Sequence, residues 1–233
     1  TGLSLNTQSL QKGDIFVAIQ GTQKHGSEFV QNAIDKGCIA ILVEDMDIQC
    51  SVPSIRIDNL SSYLSDLAQT FYQEAQNIKL IGVTGTNGKT SVSLFISQLL
   101  ESLNVRTGVI GTLGISHSDN KTSNTTPDIF TIYKSLQDYS KKGIEVAVIE
   151  ASSHALIQNR LSGLVFEQAI FTNLTQDHLD YHETMEQYRE AKGKLFINGK
   201  AQIVIINRDD ENHSYFLNIA KDKLTKTFSI DDF

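Results

Sequence analysis

The 233-residue chain has little cysteine and no long hydrophobic run, and both shortages limit what it can be. Its two cysteines, Cys38 and Cys50, lie in apolar or loop surroundings without metal-ligand spacing, which argues against a disulfide framework and a zinc site. No apolar run approaches the roughly 20 residues that cross a bilayer, and no charged region precedes an apolar one at the start of the chain. We therefore expect a cytoplasmic protein without membrane insertion.

The chain also lacks a block of basic residues. Its formal net charge is -7, with 20 lysines and arginines against 27 aspartates and glutamates. A general nucleic-acid binder needs a basic surface to match the polyanion, so we expect no nucleic-acid partner. The length and the 40% hydrophobic content allow one large core or two modest ones, and we favour two.

A glycine-rich turn between an apolar run and a helical pattern is the most informative local feature. The segment Lys79-Leu-Ile-Gly-Val-Thr-Gly-Thr-Asn-Gly-Lys-Thr-Ser91 reads as a strand, a tight turn and a helix start. A strict G-x-x-x-x-G-K-[ST] pattern would need glycine where this chain has Val83. Gly85 and Gly88 would let backbone N–H groups point into one concavity, where the helix start also favours phosphate. For the glycine pair alone, a turn without a ligand is the alternative.

The residues after the second glycine favour a nucleotide triphosphate. Lys89 would lie along the β- and γ-phosphates, and the Thr90 hydroxyl would hold Mg²⁺. The apolar residues that follow recur at helical spacing, so the loop should open a core-packed helix. They are Val92, Phe95, Ile96, Leu99, Leu100 and Leu103. The predicted ATP-binding residues are Thr84, Gly85, Thr86, Asn87, Gly88, Lys89, Thr90 and Ser91.

Residues 1–78, before this loop, predict a small α/β domain. Its predicted elements are strands at 14–19, 39–43 and 54–57 and a helix over 27–36 that Gly37 closes. A second helix has Asp58 or Asn59 as its expected cap. Its apolar positions are Leu60, Tyr63, Leu64, Leu67 and Phe71.

Residues 79–233 predict a P-loop-type central domain with a mostly parallel sheet covered by helices, so the fold class is α/β. Buried-strand runs alternate with helical segments, as in parallel sheets covered on both faces. The runs are 80–83, 107–110, 144–149, 166–171 and 202–206. Ligands of such sheets gather beyond the carboxyl ends of the strands. Polar segments occupy that position at 84–90, 150–154 and 172–182.

Glu150 ends one of these runs, and an isolated carboxylate there would simply face water. The next run, however, is followed by a loop that carries Asp177, His178, Asp180 and His182. Oxygen ligands beside a nucleotide are what Mg²⁺ requires, so we predict a metal site at this edge. A structural role is the alternative for His178, and it is our interpretation of His182.

A further helix is predicted after Thr184, because Thr184-Met-Glu-Gln187 has the form of a capping box. This helix would run through Tyr188, Lys192 and Leu195. Lys192 would then lie about two turns from the acidic loop and could point toward a metal-phosphate cluster. A solvated lysine is the alternative.

Together these motifs resemble the Mur ligases, and their combination is similar to the MurE type. The matching segments are the phosphate loop, Asn124-Thr-Thr-Pro-Asp128, Glu150-Ala-Ser-Ser-His-Ala-Leu156, Thr172-Asn-Leu-Thr-Gln-Asp-His-Leu-Asp-Tyr-His182 and Glu190-Ala-Lys192. The resemblance covers nearly all of the chain. It implies a uridine-nucleotide-binding N-terminal domain over 1–78 and an incomplete ATP-binding central domain over 79–233. The family's C-terminal domain would be absent, so little or no turnover is expected of this segment alone.

The resemblance implies an ATP-dependent amide ligase of peptidoglycan synthesis. A diamino acid, L-lysine or meso-diaminopimelate, would be joined to UDP-MurNAc-L-Ala-D-Glu through an acyl phosphate. The implied catalytic residues are Lys89, His178 and Lys192, the last carboxylated by CO₂. A carbamate can orient two metal ions that an ammonium would repel. ATP and Mg²⁺ are the implied cofactors, with Thr90, Glu150 and His178 as metal ligands.

The resemblance also implies contacts to the sugar-nucleotide peptide. The matching positions are Asn124, Thr125, Thr126, Ser152, Gln158 and Arg160 in the second block and Leu5, Thr7, Thr22, Gln23 and Lys24 in the first. An arginine such as Arg160 can pair with two oxygens of a carboxylate or phosphate, whereas a surface arginine is the alternative. The chain departs from the family pattern at Asn6-Thr7-Gln8, usually Asp-Ser-Arg, and at Ala151, usually valine.

Two other functions stay open on the sequence. One is a related ATP-dependent amide ligase, such as a folylpolyglutamate or cyanophycin synthetase, which UDP-muramoyl dipeptide would not protect against heat. The other is a nonenzymatic nucleotide-binding module, for which an intact set of Lys89, Glu150, His178 and Lys192 is unexpected. The sequence leaves open which amino acid is added and what the oligomeric state is.

Overall fold

The computed structural model describes residues 1–118, 124–197 and 200–232, which form two compact units. The first unit comprises Thr1–Gln73 and Asp128–Lys134, and the rest of the chain forms the second. The division into functional domains 1–78 and 79–233 stays a prediction. Among the helices of the described residues, none combines the length and the hydropathy that crossing a bilayer demands.

The first unit is built on four parallel strands in the order β1-β2-β3-β4. Its elements are β1 (Leu3–Ser4), β2 (Ile15–Ala18), a 3-10 turn (Gly26–Phe29), α1 (Val30–Asp35), β3 (Ala40–Glu44), β4 (Ser54–Ile57), a 3-10 turn (Leu60–Tyr63) and α2 (Leu64–Phe71). Phe16, Ile41 and Val43 form the core with Ala33 of α1. The predicted small α/β fold is thereby confirmed.

The two helix boundaries predicted in this unit differ in outcome. Gly37 ends the first helix as expected, with a φ of +86° and its N–H donating to the Ile34 carbonyl at 2.8 Å. The predicted cap of the second helix is confirmed only in position. Asn59 precedes a 3-10 turn without a side-chain capping bond, and the Asp58 carboxylate instead accepts a 3.0 Å hydrogen bond from Arg56. Asn59 has a left-handed backbone with a φ of +54°, whereas a residue that caps with its side chain is normally extended.

The second unit contains a seven-stranded sheet in the order β11-β10-β9-β5-β8-β6-β7, parallel except for the β6–β7 pair. Its strands are β5 (Lys79–Thr84), β6 (Thr107–Gly111), β7 (Gly114–Ile115), β8 (Val146–Glu150), β9 (Phe166–Phe171), β10 (Ala201–Asn207) and β11 (Leu224–Phe228). The helices are α3 (Lys89–Ser102), α4 (Ile129–Lys141), α5 (Ser153–Ile157), α6 (Leu179–His182), α7 (Met185–Gly193) and α8 (His213–Ile219), with 3-10 turns at Gln73–Asn77 and Ile230–Asp232. Helix α4 is counted with the first unit up to Lys134 and with the second from Ser135, and Gln73 is counted with the first. The α/β class and the mostly parallel sheet are confirmed.

The strand order reverses at β5, which lies between β8 and β9. Val83 of β5 pairs with Glu150, and Thr84 pairs with Phe171, so the carboxyl ends of these three strands are level. Such a reversal leaves a crevice beyond the strand ends, where ligands of α/β sheets bind.

Helix α3 packs on the sheet with only part of its apolar surface. Val92, Ile96 and Leu100 contact the core strands, as predicted. The other three apolar positions of the pattern, Phe95, Leu99 and Leu103, are 61%, 66% and 71% exposed. Core packing therefore holds for half of the predicted stripe, and Leu103 lies just beyond the end of α3.

Candidate functional site

The candidate site lies where the chain leaves β5, β6, β8 and β9. The buried Thr84 hydroxyl donates to the Ala151 carbonyl at 2.7 Å, and the Thr172 N–H donates to the Thr84 carbonyl at 3.0 Å. The Ala151 N–H donates to the Val83 carbonyl at 2.8 Å. These bonds continue the sheet pairing past the strand ends and hold the neighbouring loops together.

The predicted phosphate loop spans the turn between β5 and α3, and its two glycines serve different needs. Gly85, with a φ of +154°, lies so close to the loop after β9 that a Cβ atom would sit 1.9 Å from Thr172 Oγ1. Gly88, with a φ of +81°, has open space around the corresponding position. Gly85 is therefore required by close packing, and Gly88 by the left-handed backbone.

The loop after β9 binds the phosphate loop by reciprocal hydrogen bonds. Thr86 Oγ1 donates to the Thr175 carbonyl at 3.1 Å and accepts from the Thr175 N–H at 3.0 Å. The Asn173 side chain accepts from the Asn87 N–H at 2.9 Å and donates to the Asn87 carbonyl at 3.1 Å. The Thr86 N–H also donates to the Asn173 carbonyl, at 2.8 Å. The loop after β9 therefore holds the phosphate loop in place through these hydrogen bonds.

These bonds correct one sequence expectation about the loop. The N–H groups of Thr86 and Asn87 bind Asn173 and do not point into an open concavity. The helix start is different, because the first N–H groups of an α-helix have no preceding carbonyl to bind. We therefore assign phosphate-binding capacity to the α3 start, where Gly88 is the N-cap and the exposed Ser91 lies in the first turn.

Two lysines share one acceptor of this loop. Lys89 Nζ donates to the carbonyls of Gly85 and Thr86, both at 2.9 Å. Lys192 Nζ, from α7, donates to the same Gly85 carbonyl at 2.8 Å. Burial lowers the pKa of Lys89, while the charges of Glu150 and Asp177 partly oppose that shift.

The environment of Lys192 excludes the solvated-lysine alternative. The residue is 1% exposed, and its Nζ lies 4.2 Å from the centre of the Tyr188 ring. Burial, together with the charge of Lys89, lowers the pKa of Lys192 to about 6, although Asp177 opposes the shift. Its amine is therefore mostly neutral at pH 7 and nucleophilic.

Glu150 is the buried carboxylate of the site, at 1% exposure. Its Oε2 accepts from the hydroxyls of Thr90 and Thr112, each at 2.9 Å, and its Oε1 accepts from the Thr112 N–H at 3.0 Å. None of the ion pairs among the described residues involves Glu150. The carboxylate is thus held by the backbone N–H and hydroxyl of Thr112 and by the hydroxyl of Thr90.

The donor set at Glu150 fits Mg²⁺. Carboxylate and hydroxyl oxygens are hard ligands, and the 2.9 Å between Thr90 Oγ1 and Glu150 Oε2 is close to the separation of adjacent ligands in an octahedron with bonds of about 2.1 Å. In the part of the chain that the structure describes, no group of three or more His, Cys, Asp or Glu residues is arranged like a metal site. The assignment of Thr90, Glu150 and His178 as ligands stays a prediction.

The histidines near this edge form an aromatic cluster. The ring of His154 lies 5.0 Å from that of His178, 5.5 Å from that of His182 and 4.1 Å from that of Tyr181. His182 is buried, and its Nε2 lies 2.9 Å from Ser153 Oγ, which agrees with a structural role. His178 is exposed and adopts a left-handed backbone with a φ of +53° at the start of α6.

Predicted acceptor-binding residues lie beside the Glu150 strand end. Thr126 Oγ1 donates to the Glu150 carbonyl at 2.6 Å and accepts from the Ser152 N–H at 3.1 Å. Arg160 donates to the Thr126 carbonyl at 2.6 Å and to Gln158 Oε1 through Nε at 2.9 Å. Two other members of the predicted set are placed less deeply, with Thr125 half-buried and Asn124 exposed.

The five predicted residues of the first unit lie in two surface segments. Leu5 and Thr7 are half-buried after β1, and the Thr7 carbonyl accepts from Lys36 Nζ at 2.6 Å. The second segment is a tight turn that the Gly21 N–H closes on the Lys24 carbonyl at 2.9 Å. This turn exposes its three members of the predicted set, Thr22, Gln23 and Lys24.

Sequence reasoning missed two residues of the site, Thr112 and Asn173. Thr112 follows the predicted strand run 107–110, and the rule that singled out polar residues after the other strands would also have found it. Asn173 lies in the polar segment 172–182 that follows a predicted strand. Its pairing with Asn87, however, joins residues far apart in the chain, and no sequence pattern near either residue indicates it.

The reversed strand order and the lysine-bearing glycine turn place the second unit among α/β folds with a phosphate-loop geometry. Two family models match the chain. The Mur ligase middle domain matches residues 83–233, and the model described as Mur ligase family, catalytic domain, matches residues 1–72. The chain belongs to the Mur ligase family.

A curated relative and a solved structure carry the same name. The UDP-N-acetylmuramoyl-L-alanyl-D-glutamate–2,6-diaminopimelate ligase of Buchnera aphidicola subsp. Schizaphis graminum is 39% identical over 243 positions, which cover 100% of this chain and 49% of that protein. A solved structure of a ligase with that name has a TM-score of 0.78 at 33% identity and covers 98% of this chain and 47% of its own. The chain spans about half the length of the curated relatives it matches.

More distant structures share the fold alone. The MurF ligase from Thermotoga maritima in complex with ADP has a TM-score of 0.63 at 22% identity and covers 98% of this chain and 50% of its own. The Mycobacterium tuberculosis folylpolyglutamate synthase complexed with ADP has a TM-score of 0.56 at 16% identity and covers 75% and 47%. The folylpolyglutamate synthetases are thus more distant from this chain than the diaminopimelate ligases.

Proposed function

We propose that the chain carries the acceptor- and ATP-binding parts of a ligase that joins a diamino acid to UDP-MurNAc-L-Ala-D-Glu in peptidoglycan synthesis. The observation that carries this proposal is the buried Lys192 amine on the Gly85 carbonyl of the phosphate loop, in a chain of the Mur ligase family. The names of the relatives favour meso-diaminopimelate over L-lysine as the added amino acid. The predicted cytoplasmic location stays a prediction.

ATP is the proposed phosphoryl donor. The Lys89 ammonium would exchange its two loop carbonyls for phosphate oxygens, which it can reach from the first turn of α3. There it would stabilise negative charge as the γ-phosphoryl group moves to the glutamyl carboxylate of the acceptor and forms an acyl phosphate. The amine of the incoming amino acid then attacks the acyl carbon, and inorganic phosphate leaves. Complexes of related folds with ADP support the choice of nucleotide.

Mg²⁺ is the proposed resident cofactor. Thr90 and Glu150 would hold one ion, and His178 together with Glu150 would help to place a second. When bound, the ions neutralise charge on the transferring phosphoryl group. The role of the chain is to orient the Glu150 carboxylate before the cation arrives.

Lys192 is proposed to be carboxylated. Its neutral amine attacks the carbon of CO₂, an N–C bond forms, and one proton passes to solvent. The product carries a negative charge and still has one N–H, which can keep the hydrogen bond to the Gly85 carbonyl. A carbamate at this buried position would orient cations that an ammonium would repel.

The acceptor would lie along the predicted positions of the second unit, which are Asn124, Thr125, Thr126, Ser152, Gln158 and Arg160. The Arg160 guanidinium already binds the Thr126 carbonyl and Gln158, so its plane is fixed before any ligand binds. A fixed fork of donors suits a carboxylate or phosphate of the acceptor. The uridine diphosphate is proposed to bind the first unit at Leu5, Thr7, Thr22, Gln23 and Lys24.

A ligation assay tests the proposal. The protein at its natural length is incubated with UDP-MurNAc-L-Ala-D-Glu, ATP and Mg²⁺, with meso-diaminopimelate or L-lysine as the amine, and phosphate release and product are measured. We expect amine-dependent product. No product with either amine, combined with no thermal stabilisation by UDP-MurNAc-L-Ala-D-Glu, would reject this function in favour of another ATP-dependent ligase or a binding module.

A further inference from the structure

The carboxylate of Glu150 is held on both oxygens by one neighbouring residue. Thr112, the first residue after β6, donates its N–H to Oε1 at 3.0 Å and its hydroxyl to Oε2 at 2.9 Å. Thr90 adds a second donor to Oε2 at 2.9 Å. Because two bonds from one residue fix both position and rotation, Thr112 sets the plane of the carboxylate, whereas Thr90 alone would leave it free to turn.

Gly111, the residue before Thr112, is constrained to be glycine by the same carboxylate. A Cβ atom on Gly111 would lie 2.0 Å from Glu150 Oε1 and 2.5 Å from its Cδ atom. Gly111 has no positive φ, so a left-handed backbone does not explain the glycine. Space for the Glu150 carboxylate does explain it.

The Thr112 hydroxyl also lies 3.2 Å from Thr125 Oγ1. A hydroxyl has a single proton, so it can donate to only one of these neighbours at a time. The shorter bond to an ionised acceptor is the stronger one and takes the proton. Thr112 therefore stands between the predicted metal-binding carboxylate and a predicted acceptor-binding residue, and neither the family models nor the names of the relatives assign it a role.

We propose that Gly111 and Thr112 are a positioning pair for Glu150, which hold its carboxylate in the orientation that a nucleotide-bound Mg²⁺ requires. The pair acts through Glu150 and does not touch the nucleotide. This inference rests on the proposed function, because it takes Glu150 as a ligand of that ion. Its consequence is that Thr112 governs how strongly Mg²⁺ improves nucleotide binding, and hardly affects binding without the metal.

The test is the ADP affinity of the protein by calorimetry, with and without Mg²⁺. The Thr112→Val variant keeps the shape of the side chain and removes its hydroxyl. We expect the gain in ADP affinity on adding Mg²⁺ to fall at least fivefold, with the metal-free affinity within twofold of wild type. Thr112→Ser should restore most of the gain, because it returns the hydroxyl.

Two further variants keep the result interpretable. Thr107→Val makes the same change at the other end of β6, where the hydroxyl binds the Val105 carbonyl at 3.0 Å, and it should keep the full Mg²⁺ gain. Gly111→Ala removes no hydroxyl but displaces the Glu150 carboxylate by contact, so it should also reduce the gain in ADP affinity on adding Mg²⁺. It provides an independent test if Thr112→Val does not fold. Circular dichroism melting curves check that each variant is folded.

The outcomes separate this inference from the proposed function. If the wild-type protein binds ADP without any Mg²⁺ effect, the proposed function fails and this inference fails with it. If wild type shows the effect and folded Thr112→Val keeps it in full, the positioning role alone is overturned. A loss of equal size in Thr107→Val, or no recovery in Thr112→Ser, would also overturn it, because the hydroxyl at position 112 would then not be the cause.

Discussion

Lys192 Nζ donates a 2.8 Å hydrogen bond to the carbonyl oxygen of Gly85, a residue 107 positions earlier in the chain. Lys89 Nζ donates to the same oxygen at 2.9 Å, so two amines of different origin meet at one atom of the phosphate loop. Two positive charges this close repel each other, so burying both amines as ammonium groups is unfavourable. One of them is therefore held neutral or converted, and the greater burial of Lys192 identifies it as that residue.

Replacement of Lys192 tests its proposed carboxylation. We expect Lys192→Ala to lower the ligation rate of the full-length protein at least 100-fold, and short-chain carboxylic acids to restore part of it by supplying the missing anion. Lys194→Ala, two residues further along the chain and less buried, is the matched control and should keep activity near wild type. Full activity in Lys192→Ala would contradict the carbamate.

The two loop glycines should respond differently to alanine. Gly85→Ala places a Cβ atom 1.9 Å from Thr172 Oγ1, so the loops must separate, and we expect the free energy of unfolding to fall by about 2–4 kcal/mol. Gly88→Ala meets no atom within 4 Å and carries only the strain of a left-handed residue, about 1 kcal/mol. Urea denaturation of both variants measures the difference. Equal losses would show that contact with Thr172 does not constrain the loop.

His182 should make stability depend on pH. Burial, together with the charges of His154 and Lys192, lowers its pKa to about 4, whereas an unfolded histidine titrates near 6.5. The folded state therefore binds fewer protons than the unfolded state between these values. This contribution to stability is complete above about pH 6.5 and is lost as the pH falls toward 4, by about 2–3 kcal/mol.

Urea denaturation across this pH range, on wild type and His182→Gln, checks that dependence. Glutamine keeps a polar side chain at the position but does not titrate, so the variant should lose less stability than wild type between pH 6.5 and 4. Parallel curves for the two proteins would show that other groups, such as His154, produce the acid sensitivity.

Asn173 should support nucleotide binding without contact to the nucleotide. Asn173→Ala removes both hydrogen bonds to the Asn87 backbone, so the loop is less well ordered before the ligand arrives. We expect about a tenfold loss of ADP affinity by calorimetry, in line with roughly 1.4 kcal/mol for the lost order. Asn218→Ala, at an exposed position of α8, is the control and should bind ADP as wild type does. An unchanged affinity in Asn173→Ala would show that the loop is ordered without this pairing.

The sequence by itself determined the α/β class, the main strands and the place of the phosphate loop. These follow from local patterns, because strand and helix periodicity and the Gly85 to Thr90 spacing need no knowledge of distant residues. It also pointed to Glu150, because the loop after the next buried run carries further candidate ligands such as Asp177 and His178. Asn59 does not cap with its side chain because its backbone is left-handed, with a φ of +54°, which the residue pattern does not indicate.

Only the tertiary structure decided which polar groups meet. Lys192 and Lys194 lie on the same stretch of sequence, yet only the first is buried, because the position of α7 against the β5 end selects one side of the helix. The bonds from Thr112 to Glu150 and from Asn173 to Asn87 join residues 38 and 86 positions apart. Strand order brings those residues together, and strand order depends on how all the strands pack at once, which no local pattern contains.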